Sequence, residues 1–132
     1  MSVWTHVCGL IYVDHMNFSN DLEKRDLFGA ELESIFEIDA PEGSEGGLFI
    51  ESVKGDGSGS SNIGPNYEFV DVSYRWGLSI FGDLRDYDKK DDVKKWIINS
   101  IKQVKNGLVR QGIVLIEVEG QPQLIWTFEK EK

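Results

Sequence analysis

The chain has 132 residues, a formal net charge of −9, 40% apolar residues and 11% aromatic residues. That is the size of one domain with enough apolar material for a core, which excludes global disorder. No apolar run approaches the roughly 18 residues of a membrane span, and the first residues, Met1 to His6, lack the basic-then-apolar pattern of a secretory signal. Cys8 stands alone, so an internal disulfide and a cysteine zinc site are both excluded, and a reducing compartment is expected. The charge is uneven: residues 1–60 hold 12 acids against 3 bases, whereas residues 61–132 hold 11 of each. An acidic field of this kind repels nucleic-acid phosphates and attracts basic surfaces, so no direct nucleic-acid binding is expected.

Val3 to Val13 is rich in Val, Ile, Tyr, Trp and Thr and predicts a first strand, apolar on both faces and so at least partly covered on both. Asn20 with Glu23 makes a capping-box pattern for a helix that Gly29 is expected to stop after Phe28. Residues 31–38 fit both helical and alternating spacing, with the balance toward a short extended piece. Pro41 to Gly47 predicts a tight loop, Leu48 to Val53 a short strand, and Lys54 to Asn62 a flexible loop tip. Tyr67 to Phe81 alternates cleanly and predicts a long strand with one buried face.

Asp91 to Asn106 predicts an amphipathic helix, with Val93, Ile97, Ile101, Val104 and Leu108 on one side and Trp96 alongside. Asp88 is the expected cap and Gly107 the expected stop. Ile113 to Glu119 and Gln123 to Glu129 predict a hairpin across Gly120-Gln121-Pro122. The order strand, helix, strand, strand, helix, strand, strand predicts an α+β domain spanning 1–132. Its expected form is the ferredoxin-like split β-α-β unit, an antiparallel sheet with both helices on one face and an added C-terminal strand.

Three groups of residues invite chemistry. His6 and Cys8 share a face of the first strand, but a single thiol with two histidines in the chain reads as structural, with Cys8 a small buried hydrophobe. Gly43, Ser44, Glu45, Gly46 and Gly47 have the composition of an anion-cradling loop, although Glu45 opposes an anion and no P-loop lysine follows. Phe81 to Asp88 packs Asp83, Asp86 and Asp88 around Arg85. There Asp83 and Asp86 are the candidate pair for a divalent metal, and the competing structural reading has Arg85 bridging Asp83 and Asp86. The lysines of the second helix, Lys89 to Lys105, lack interleaved aromatic residues and read as a solvated face.

The segments Trp4 to Ile11, Gly43 to Gly46 and Phe81 to Tyr87 together resemble a family of small tailed-phage and prophage proteins. Members of that family carry Trp-Thr-His-Val-x-Gly-x-Ile, Gly-Ser-Glu-Gly and Phe-Gly-Asp-Leu-Arg-Asp-Tyr in this order. Tyr12 and the Gly/Ser-rich residues 55–61 depart from its pattern. The resemblance implies a phage-encoded protein acting in the cytoplasm of a bacterial host, and it carries over no catalytic residue and no cofactor.

The leading expectation is therefore a non-enzymatic accessory protein that neutralises a host factor, an anti-defence role. It would do so by an acidic surface or by sequestering a small nucleotide between Gly43 to Gly47 and Arg75 or Arg85. Alternatives are a metal-dependent enzyme on nucleotides or phosphoesters using Asp83 and Asp86, and a phage structural or assembly component. A homo-oligomer joined through the sheet edge is the expected self-association.

Overall fold

The computed structural model of the chain describes residues 2–17, 22–58 and 72–129. The elements are β1 (Trp4–Asn17), α1 (Leu22–Glu37), β2 (Phe49–Ser58), β3 (Val72–Arg85), α2 (Lys90–Lys102), β4 (Gly107–Val118) and β5 (Leu124–Glu129). The strands make one five-stranded sheet in the order β2-β3-β1-β4-β5, and every neighbouring pair is antiparallel. The architecture is α+β, and each of the two helical connections passes over one intervening strand. The capping pair Asn20 and Glu23 and the strand start at Tyr67 involve positions outside the described residues or side chains.

Alternation decides which residues meet the helices. Val7, Ile11 and Val13 of β1, Leu78 and Ile80 of β3 and Val114 and Ile116 of β4 point to one side and are buried there. They join Phe28, Leu32 and Phe36 of α1 and Val93, Trp96 and Ile97 of α2 in a single apolar core. The second helix keeps its expected buried stripe, with Ile97 fully buried and Ile101 packed against the core. In the hairpin, Val114 lies opposite Trp126 and Ile116 opposite Leu124, so the two apolar faces coincide as their alternation requires.

Several expectations need correction. Gly29 does not end a helix, and residues 31–37 are not extended: α1 runs unbroken from Leu22 to Glu37. Phe28, Leu32 and Phe36 recur every four residues and bury one helical stripe, and Gly29 lets that stripe approach the sheet. A Cβ at Gly29 would stand 2.5 Å from Trp76 Cζ3 and 2.6 Å from Ser52 Oγ. Asp88 does not cap α2. Lys89 is the N-cap and makes no side-chain cap bond, while Asp91 and Asp92 face the positive end of the dipole.

The end of α2 is also earlier than its spacing predicts. Gln103 closes the helix, Asn106 takes the left-handed turn at φ 63°, and Gly107 begins β4. The long strand expected to end at Phe81 runs further, because β3 continues through Arg85 with Leu84 fully buried. Its polar residues Asp83 and Arg85 alternate onto the solvent side, so they do not interrupt the strand. Finally, the helices cover β1 on its odd-numbered face. On the other face His6, Cys8 and Leu10 are exposed, Trp4 and Tyr12 are half-buried and Asp14 is buried, so Cys8 is not the buried hydrophobe its composition suggests.

His15 gives the fold a pH dependence. The residue is 6% exposed, and its ring stacks on Phe28 at 4.3 Å between centroids. Burial pushes its pKa down, partly opposed by the Glu31 carboxylate. A folded-state value below the unfolded value of about 6.5 means that the unfolded chain takes up the proton first. The contribution is complete above pH ~6.5 and is lost as pH falls through the folded value. Because His6, held above its ordinary pKa, acts in the opposite sense over the same range, the difference between variants isolates His15: from pH 7 to pH 5 the urea midpoint of the wild type is expected to fall relative to that of His15→Phe.

Candidate functional site

The glycine-rich loop folds onto the end of β3. Glu42 and Gly47 close it with an isolated bridge, and the Ser44 amide donates to the Arg85 carbonyl at 2.8 Å. A Cβ at Gly43 would lie 2.5 Å from both the nitrogen and the carbonyl oxygen of Arg85, so the close approach requires glycine there. Gly46 takes φ 75°, which turns the chain back toward β2. The Ser44 hydroxyl donates to the Asp86 carboxylate at 2.7 Å.

Arg85 does not bridge Asp83 and Asp86. Its Nη1 meets Glu45 Oε1 at 2.7 Å and its Nε donates to Ser2 Oγ at 3.0 Å, because the loop brings Glu45 against the strand end. Gly43, Ser44, Glu45 and Arg85 are therefore brought together, but as a clasp in which the donors of Ser44 and Arg85 serve the protein itself. Both members of the Arg85–Glu45 pair are well exposed, so the pair adds at most about 1 kcal/mol. Arg75 is not part of this arrangement. It lies ten residues back along β3, roughly 33 Å at the rise of an extended strand.

The two candidate metal ligands also part company. Asp83 accepts from His6 Nδ1 at 2.5 Å, across the β1–β3 pairing, while Asp86 sits in the turn at φ 57°. The Asp83 carboxylate holds the His6 imidazole above its ordinary pKa. Burial opposes this, and Glu119 and Glu117 add to it. Among the described residues, no group of three or more His, Cys, Asp or Glu side chains is placed to hold a metal ion. No helix among them is long and apolar enough to cross a membrane.

Two surfaces escaped the linear sequence. The first is the sheet face that no element among the described residues covers. Pairing register aligns Phe49, Phe81, Cys8, Leu115 and Ile125 in one row across all five strands, with Leu10 and Ile113 side by side in the next. Phe49, Phe81, Leu10, Ile113 and Ile125 are each between 46% and 60% exposed. Phe49 and Phe81 stack on each other at 5.1 Å between centroids.

The second surface is a groove of about 1040 Å³ between the helices. Leu27, Glu31, Ser34, Ile35 and Ile38 line it from the α1 side, and Asp92, Lys95, Trp96, Asn99, Ser100 and Gln103 from α2. Both sets recur at three- and four-residue steps, so each is one helical stripe set beside the core stripe. The helices run antiparallel: Trp96, in the second turn of α2, donates its indole N–H to the carbonyl of Phe36, near the end of α1. One mouth of the groove accordingly carries Asp39 and Asp92, and the other carries Lys105 and Asn106. Exposed Leu27 and Ile38, which lie outside the core stripe of α1, are the sequence signal that marks it.

Comparison of the chain with protein-family models, with curated proteins and with solved structures finds no match.

Proposed function

We propose that the chain is a binding protein that captures and neutralises a host protein factor, taking an α-helical segment of that factor into the groove between α1 and α2. The observation that carries this reading is the groove itself. It is an open slot between two antiparallel helices, with apolar side chains Leu27, Ile35 and Ile38 and with opposite charges at its two mouths. A helix has a positive N-terminal end and a negative C-terminal end. A guest helix running from the Asp39 and Asp92 mouth to the Lys105 mouth meets complementary charge at both ends. Apolar residues at positions i, i+3, i+4 and i+7 would then cover Leu27 and Ile38, the recognition mode of an amphipathic helix in a groove. The acidic surplus of residues 1–60 favours a guest with a basic outer face.

Binding is preferred to metal-dependent catalysis because Asp83 and Asp86, the carboxylates considered for that role, are engaged by different partners, His6 and Ser44. The same proposal extends to the architecture and setting. The order β2-β3-β1-β4 supports a ferredoxin-like split β-α-β unit with β5 added beyond β4. A phage-encoded accessory protein working in the cytoplasm of a bacterial host is the setting in which neutralising a host factor has a purpose.

The test is affinity capture from host cells with the wild-type chain and with Ile38→Asp and Asp39→Lys/Asp92→Lys variants, followed by binding of the purified factor. The expected result is one factor held by the wild type, released at about 0.5 M salt, and lost by both groove variants. A factor captured equally by wild type and groove variants would overturn the assignment of the groove.

A further inference from the structure

The open face of the sheet, on the side opposite the groove, carries a charge pattern that is complementary to itself. Register places Asp83, His6 and Glu117 in one row across β3, β1 and β4. Eight residues further along β1, Asp14 lies opposite Arg75 of β3, and Arg110, at the irregularity in the β1–β4 pairing, reaches back to Asp14 at 2.7 Å. The first row thus reads acid, histidine, acid, and the second reads arginine, acid, arginine. Midway between them lies the row containing Ser79, Leu10 and Ile113, with Leu10 on the central strand and 48% exposed.

We propose that this face binds a second copy of the chain, related by a two-fold axis that runs across the strands over Leu10. Such an axis lays each strand over its own counterpart with direction reversed. Asp83 then faces Arg75 of the second copy and Glu117 faces Arg110 of the second copy, while His6 lies over the position of Asp14 of the second copy, whose carboxylate is buried and held by its own Arg110. The β3 and β4 columns are each paired with opposite charge, and in the β1 column between them Leu10 meets Leu10. The exposed apolar side chains Phe81, Phe49, Ile113 and Ile125 fill the space between the charged rows. A sandwich of two sheets held about 10 Å apart by interleaved side chains is the packing this gives.

The size of the face agrees. Five strands by the eight-residue distance between the charged rows span roughly 24 Å by 27 Å, or roughly 650 Å² per copy. About 1,300 Å² in total lies at the lower end of the range for specific complexes, so a reversible dimer is expected rather than a permanent one. The three strands that carry the charge pairs are central, where the usual rotation of about 30° between packed sheets moves side chains least.

The experiment is sedimentation velocity of the full chain over a concentration series, with circular dichroism on every variant to establish that it is folded. The wild type is expected to dimerise reversibly. Leu10→Asp should weaken the dimer at least tenfold, and Asp83→Arg or Arg75→Asp alone should each weaken it severalfold. The double variant Asp83→Arg/Arg75→Asp exchanges the two charges and should restore association. All three positions are solvent-exposed, so these changes leave the core intact. A wild type monomeric up to about 1 mM would overturn the proposal. So would a dimer indifferent to Leu10→Asp, the outcome expected of pairing through the β2 or β5 edge, and so would a charge exchange that fails to restore association.

Discussion

Trp96→Ala is expected to lower stability by about 3–5 kcal/mol, the range for removing a large aromatic side chain from a packed core. Trp96 is 6% exposed, lies edge-on to Phe36 at 6.0 Å between centroids, and forms part of the groove wall. Its indole N–H also donates to the Phe36 carbonyl at 3.0 Å. Phe36 lies in the last turn of α1, whose carbonyls have no partner within the helix. One side chain of α2 therefore fills the core and closes the end of the other helix. Trp96→Phe keeps most of the volume and removes the donor, so it should cost about 1–3 kcal/mol, the range for an unpaired buried polar group. Urea unfolding of the three proteins measures both. Equal losses for the two variants would mean that volume contributes little and that the bond to Phe36 carries the effect.

Gly9→Ala and Gly77→Ala should differ sharply although both add one methyl to a strand interior. A Cβ at Gly9 would stand 2.6 Å from Val114 Cγ2, 2.9 Å from the Ile113 carbonyl oxygen and 3.1 Å from Val114 Cα. Two of those three atoms are backbone of β4, and β1 is held by ladders on both sides, so neither strand can withdraw without breaking pairing. Overpacking of this kind costs about 1–3 kcal/mol and sometimes more. At Gly77 the nearest atom is Leu10 Cδ1 at 3.4 Å, an ordinary contact with a mobile side-chain end. Adding a methyl there should be neutral or slightly stabilising, since alanine loses less conformational freedom than glycine on folding. Thermal or urea midpoints of the two variants are compared directly with the wild type.

Where a residue's role is set by its own strand or helix, the sequence was a sufficient guide. The alternation of Trp76, Leu78 and Ile80 and the 3.6-residue recurrence of Val93, Ile97 and Ile101 are local periodicities, and both elements form as those periods require. Gly29 shows where local signals give out. A glycine after Leu27 and Phe28 has the form of a helix stop, yet its role is set by Trp76 and Ser52, 47 and 23 residues away in the chain. The clasp of Glu45 on Arg85 and the pairing of His6 with Asp83 are likewise contacts between distant segments, and no spacing rule joins them.

Cys8 illustrates a different limit. Both faces of β1 are largely apolar, so composition alone does not tell which face the helices cover. That choice follows from β3, where the inward set Trp76, Leu78 and Ile80 is bulky and the outward set Arg75, Gly77 and Ser79 is small or polar. Once β1 and β3 are paired in register, Cys8 and Leu10 must share the outward side with Phe81 and Ser79.

The layered arrangement, with both helices on one side of the sheet and no described element over the other, underlies the groove and the self-complementary face alike. Thiol labelling of single cysteines placed at positions 5 to 13 of β1, in a Cys8→Ser background apart from position 8 itself, tests it most directly. At nanomolar protein, where a weak dimer is dissociated, positions 6, 8 and 10 should react at rates close to those of the unfolded chain. Positions 5, 7, 11 and 13 should react slowly, at the rate at which the protein opens. Equal rates along the strand, or slow labelling at positions 6, 8 and 10, would contradict the account.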